Sequence, residues 1–263
     1  MTSSQGSPLS LFAEALSKDP VPLDEAALAL SAHCQRRMLK LPLGLDALDE
    51  LAQQVTDPSF LGVTTFLFNE LGFIGDNTDY FNPRNSYIDH VIERKLGIPI
   101  SLAVVVMEVS RRCGVRTYGV GMPGHFLVGD AENSDQLLDP FRGRIISPRE
   151  AESLFGYVNP SVDFQPEFLA GITNDVILSR MLNNLRLIHV KEQSIEDLIC
   201  ILELMVCWKV PSFGEVKQLG LALDSLGRTD QAARQLDDIA ARSDGELREQ
   251  IGALSTKFWR RLN

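Results

Sequence analysis

Apolar residues recur at helical spacing over most of the chain, and the first clear case runs from Leu23 to about Lys40, "LDEAALALSAHCQRRMLK", with its basic residues late, where they suit the helix dipole. "LGLDALDELAQQVTD" and "PSFLGVTTFLFNELGF" predict two more helices, the second stopping at Gly72. "IGDNTDYFNPRN" breaks the period with Gly, Asn, Asp and Pro and reads as a loop. In "SYIDHVIERKLG", Ser86 and Asp89 have capping-box spacing and Gly97 follows the last helical residue. "PISLAVVVMEVSRRC" predicts a helix with Pro99 at its first position and its end before Gly114. The period then changes: "VRTYGVGM", "HFLVGD" and "QLLDPF" read as short strands, with "AENSD" turning between the last two. Several helices followed by a small antiparallel sheet make an α+β domain.

From Thr173 the pattern is helical to the end. An offset of 34 residues places Leu185 on Leu219 and Leu202 on Leu236, and "EVKQLGLALDSLGRTDQAARQLDDIA" carries small residues where two antiparallel helices would pack closely. This resembles a tetratricopeptide unit, with "LREQIGALSTKFWRRLN" as a capping helix; two ordinary helical hairpins are the alternative. The expected division is a flexible lead over 1–22, an α+β domain over 23–172 and a helical-repeat domain over 173–263.

Composition narrows the function. The 263 residues carry a net charge of −10. Most of it falls on 1–174, so neither nucleic acid nor an anionic membrane surface is an expected partner. The N-terminus lacks a basic stretch before an apolar core, and the longest apolar run is too short to span a bilayer. Cys34, Cys113, Cys200 and Cys207 are scattered without metal-site spacing, which points to a reduced, cytoplasmic chain without a zinc site or other cofactor. Gly119, Gly121 and Gly124 match GxGxxG, but a strand-like "HFLV" follows where a dinucleotide site needs a helix.

The candidate chemistry lies between residues 99 and 139. If the hairpin turns symmetrically about Glu132, His125 faces Asp139, and any register of the same parity keeps both on one sheet face. An Asp beside a His fixes the imidazole tautomer and stabilises its protonated form. The helix start at Pro99 offers free N–H groups and a positive dipole end, suited to a thiolate or oxyanion, yet no cysteine stands there. Cys113 lies at the far end of the same helix, about 21 Å away at 1.5 Å per residue.

The segments "NPRNSY", "GIPISL" and "PGHFLV" together resemble the SirB-type family of transglutaminase-like proteins, over about residues 23–260. The resemblance implies a papain-like transglutaminase fold, in which a nucleophile helix packs on an antiparallel sheet carrying His and Asp, followed by a tetratricopeptide-like segment. Matching Ala103 and Gly114 to the small residue and the turn of that pattern puts Pro99 at the cysteine position, with His125 and Asp139 at the other two. Proline has no nucleophilic atom. The expectation is therefore a non-catalytic protein-binding or regulatory protein, its partner held through the helical repeats, with room for a peptide or small molecule in the cleft. The rival is a hydrolase or amidase using Ser101, His125 and Asp139; against it, a first-turn Ser commonly bonds a free backbone group. Asn82, Arg84 and Asn85 are candidates to bind a ligand carboxylate or peptide, or else to brace their loop. His33, His90 and His189 read as surface or packing residues, and Cys200 and Cys207 as core.

Overall fold

A computed structural model describes residues 6–36, 41–208 and 210–262, with the backbone alone at 41–43. The α+β reading holds. Twelve α-helices among the described residues surround a five-stranded antiparallel sheet, order β6-β5-β4-β3-β7, and a separate parallel pair, β1 (Ile74–Gly75) with β2 (Leu96–Gly97). The sheet strands are β3 (Thr117–Val120), β4 (Leu127–Asp130), β5 (Leu137–Asp139), β6 (Arg144–Ile146) and β7 (Gly171–Ile172).

The centre of the molecule is α6 (Pro99–Arg112). Leu102 to Val106 are all at most 1% exposed, because the helix is apolar around its circumference and so can only be a buried one. Its C-terminus closes as expected. Gly114 takes φ +76°, Gly114 N–H donates to Arg111 O, and Val115 N–H donates to Ser110 O, the paired bonds of a Schellman motif. Phe126, Val128 and Leu138 join α6 in the main core, while Leu127, Leu137 and Ile146 pack on the other face against Phe155 of α7 (Pro148–Val158). The alternation of 126 and 128 against 127 is the strand period made physical.

Several expected boundaries move. α2 (Leu23–Cys34) ends before the expected Lys40, and 37–40 lie outside the described residues. The helix expected to stop at Gly72 starts as α4 (Phe60–Thr64) and widens to a π-helical turn over Thr65–Glu70. Ser86 forms no capping box: α5 (Ile88–Arg94) has Tyr87 at its N-cap, and Lys95 in the left-handed region ends it. Gly97 belongs to β2 instead. A Cβ there would stand 2.8 Å from Ser101 Oγ, so the missing side chain lets the start of α6 close on the strand pair.

The 1–22 lead contains α1 (Pro8–Leu16), docked on α2 with Phe12 fully buried, so a flexible lead is incorrect for that stretch; residues 1–5 lie outside the described residues. The division at 172/173 does not coincide with a break in packing. Ile177, Leu178, Met181, Leu182 and Leu185 of α8 (Asn174–Glu192) sit in one continuous core with α2 and α6. α9 (Ile195–Met205), α10 (Phe213–Ser225), α11 (Thr229–Ala241) and α12 (Gly245–Leu262) extend that core as successive hairpins. α9 begins at Ile195 and α11 at Thr229, the 34-residue offset read from the sequence, and Leu185, Leu219, Leu202 and Leu236 are all fully buried.

Candidate functional site

The hairpin register differs from the symmetric one. Val128 pairs with Leu138 and Gly129 with Leu137, a shift of two that preserves parity. His125 lies just before β4, on a turn in which its N–H donates to Met122 O and Gly124 takes φ +75°, the Pro-Gly arrangement of a type II turn. From there its Nε2 reaches Asp139 Oδ1 at 2.9 Å. Asp139 is fully buried and has further partners: its Oδ1 accepts from Phe141 N–H, and its Oδ2 accepts from Arg142 Nη1 at 2.8 Å. Burial pushes the Asp139 carboxyl up, but the bonds and charges of His125 and Arg142 outweigh it and hold the pKa below the ordinary carboxylate value. The pair can fix the orientation of an imidazole, which is the part of a triad that does not depend on the nucleophile.

A hydrogen-bonded path joins this pair to the start of α6. Phe141 N–H donates to Asp139; Phe141 O accepts from Gly75 N–H; Asp76 N–H donates to Gly97 O; Ile98 caps α6 and Pro99 opens it. Gly75 is required there, since a Cβ would stand 2.2 Å from the Phe141 ring. The helix start thus holds a proline, and the nearest hydroxyl is committed elsewhere. Ser101 is fully buried; its Oγ donates to Asn85 O at 2.5 Å and accepts from Ile98 N–H at 3.1 Å. The structure brings His125 and Asp139 together and does not bring Ser101 to them.

The ligand-binding candidates separate in the same way. Asn85 is fully buried: its Nδ2 donates to Asp76 and to Asp79 O, and its Oδ1 accepts from Arg94, so no ligand can reach it and that assignment is corrected. Asn82 braces its loop, its Oδ1 accepting from Arg84 N–H and its Nδ2 donating to Asp79. The hub of this loop is Asp76, whose pKa falls to about 2 because it accepts from Asp79 N–H and from both donors of Thr78, with Asn85 and Arg94 on its other oxygen. Arg84 is exposed, with no side-chain partner among the described residues.

Two arginines escaped the sequence reading. Arg142 had a signal, three residues after Asp139 in "DPFR". Arg180 had none: from α8 it donates to the carbonyls of Gly121, Met122 and His125 and lies over the Phe126 ring, so the first helix of the C-terminal segment holds the histidine turn. Gly121 is small because this guanidinium takes the place of a Cβ. Beside the α6 start a groove of about 610 Å³ is lined by Tyr80, Phe81, Ile98, Leu187, Val190 and Lys191, with the Lys191 ammonium over the Phe81 ring.

Comparison with known proteins gives the family. The profile of the transglutaminase-like superfamily matches residues 33–183, ending in α8 just beyond Arg180. A UPF0162 protein of Xylella fastidiosa is 42% identical over 135 residues, 48% of this chain and 47% of the relative, so the match spans about half of that protein. A UPF0162 protein of Pseudomonas aeruginosa is 32% identical over 67% of this chain and 68% of its own. Human F-box only protein 21 is 31% identical over 52% of this chain and 22% of its own length. The fold is a transglutaminase-like core with a C-terminal helical segment, and the chain belongs to the transglutaminase-like superfamily, with the UPF0162 proteins among its relatives.

Proposed function

We propose that this protein is a transglutaminase-like protein without a nucleophile, acting in the cytoplasm as a binding or regulatory protein. One observation carries the reading: Pro99 occupies the helix start and Ser101 is sealed into main-chain bonds, while the His125–Asp139–Arg142 cluster is hydrogen-bonded without either. In this reading the groove at that helix start takes an apolar side chain of an extended peptide, and the exposed Arg84, in the loop that also carries Tyr80 and Phe81, binds its carboxylate. The hairpins from α8 onward act as a tetratricopeptide-like partner surface, in keeping with the SirB-type resemblance; the 34-residue offset between the starts of α9 and α11 supports this. The match to one fifth of F-box only protein 21 is consistent with a core that serves as a module in a longer chain. Free cysteines suit a reducing compartment, and among the described residues no helix is long and apolar enough to cross a membrane.

The test pairs turnover with binding. A panel of activated esters and peptide amides should show no hydrolysis above that of His125→Ala. Peptides that raise the melting temperature should lose their effect in Phe81→Ala. Turnover abolished by both Ser101→Ala and His125→Ala, in variants shown to be folded, would establish the serine hydrolase instead.

A further inference from the structure

Away from the cleft, α2 and α9 bring together three residues of a kind that binds transition metals. His33 projects from α2, and Cys200 and Glu203, three apart, share one face of α9. His33 Nε2, Cys200 Sγ and a Glu203 carboxylate oxygen all lie within 4.8 Å of one another, and the His33–Glu203 distance is 3.1 Å. Ligands of a tetrahedral Zn²⁺ at bond lengths of about 2.0–2.3 Å stand roughly 3.3–3.7 Å apart, so the nitrogen and oxygen are already near that spacing and the sulfur must close by about 1 Å. We propose that His33, Cys200 and Glu203 form a zinc site that fastens α9 to α2.

The surroundings fit such an ion. Cys200 is 8% exposed, and the side chains of His33 and Glu203 are 15% and 17% exposed, which leaves an entry path without opening the site to bulk water. Gln235 of α11 donates to the second Glu203 oxygen at 3.1 Å, orienting the carboxylate as an outer partner does. The other end of the same amide, Gln235 Oε1, is buried and accepts nothing, so it is an acceptor for the proton of a water in the fourth position. A thiolate and a carboxylate together neutralise a divalent ion, which a low-dielectric helix interface requires. Binding converts the thiol to a metal-bound thiolate and releases its proton to solvent. Arg36, half exposed and paired with Asp197 and Glu196, also faces the Cys200 sulfur as a hydrogen-bond donor, a role it can keep toward a metal-bound thiolate. Soft sulfur with imidazole favours Zn²⁺ over Mg²⁺ or Ca²⁺.

Cobalt reports the site directly. Full-length protein, reduced and stripped with chelator, is titrated with Co²⁺. A thiolate-to-cobalt charge-transfer band and the visible bands of a tetrahedral ion should appear at one equivalent, and Zn²⁺ should erase them. Cys200→Ser should abolish the charge-transfer band, Cys34→Ser should keep it, and His33→Gln and Glu203→Gln should each weaken binding tenfold or more. Zn²⁺ should raise the melting temperature of the wild type and not of His33→Gln. No band in the wild type, a band that survives Cys200→Ser, or unchanged affinity in Glu203→Gln overturns the proposal. Should Cys200→Ser fail to fold, the His33 and Glu203 variants decide it alone.

Discussion

Ser101 is the residue on which catalytic and structural readings diverge most. Its hydroxyl donates to Asn85 O and accepts from Ile98 N–H, which also reaches Asn85 O at 3.3 Å, so Ser101→Ala removes two buried hydrogen bonds without stranding the N–H. The expected cost is about 1–3 kcal/mol, seen as a lower urea midpoint at unchanged slope. A loss below 0.5 kcal/mol, an order-of-magnitude threshold for surface substitutions, would contradict this geometry. His189 is the opposite case. It is 4% exposed and neither ring nitrogen has a hydrogen bond, with Glu192 Oε2 standing 3.9 Å from Nδ1. Burial outweighs the nearby Asp197 and Glu192 carboxylates and lowers its pKa. The unfolded chain therefore takes up this proton at higher pH than the native one, and stability falls as pH drops below the ordinary histidine value of about 6.5. His189→Leu should flatten the denaturation midpoint between pH 7 and 5 without destabilising the protein at pH 7; an unaltered pH slope would refute the assignment.

Among the elements, the histidine turn depends most on a distant helix. Arg180 supplies donors to three carbonyls of the 121–125 turn, and burial lowers its pKa from an already very high value, so it stays charged at neutral pH. Arg180→Met keeps much of the apolar stem but removes the guanidinium donor from all three carbonyls, leaving Met122 O only the turn's own His125 N–H. The expected destabilisation is about 2–3 kcal/mol, from hydrogen bonds to a charged group. Amide exchange should accelerate selectively at 122–126, and exchange unchanged there would show that the turn holds itself. The loop around Asp76 behaves as a second rigid element. Its carboxyl is ionised down to about pH 2, so the stability it contributes is present above the unfolded value near 4 and is lost between there and 2. In Asp76→Asn that part of the acid limb should disappear.

At the scale of the whole molecule, α8 belongs to two things at once. It lines the groove, holds the histidine turn and buries five apolar side chains in the core shared with α2 and α6. Cutting the chain at residue 172 would expose that surface and leave Phe126 without the Arg180 cap. A fragment of residues 1–172 is expected to show no cooperative thermal transition, whereas the intact chain should melt in a single step. Two independent transitions in the intact protein would restore the division drawn from the sequence. The superfamily match ending at residue 183 agrees with a core that includes the first half of α8.

By itself the sequence determined the elements and the parity. Helical period marks α2, α6 and the C-terminal hairpins, Pro99 and Gly114 bound the central helix, and an even register sum puts His125 and Asp139 on one side of the hairpin, although His125 itself lies on the turn before β4. These are local properties, set within a few residues of chain. It was blind wherever a role depends on contact between distant segments. Ser101 and Asn85 carry polar groups that solvent could satisfy equally well, and only their burial together commits each to the other. Gly97 was read as a helix cap, but its smallness answers to Ser101 in the next helix and Gly121's to Arg180, 59 residues away. His33 and Glu203, 170 residues apart, have no motif between them, and helix packing alone makes them neighbours. Chain distance carries no information about such pairs, because the core closes on apolar area, which is non-directional, and the polar contacts follow from where that closure leaves them.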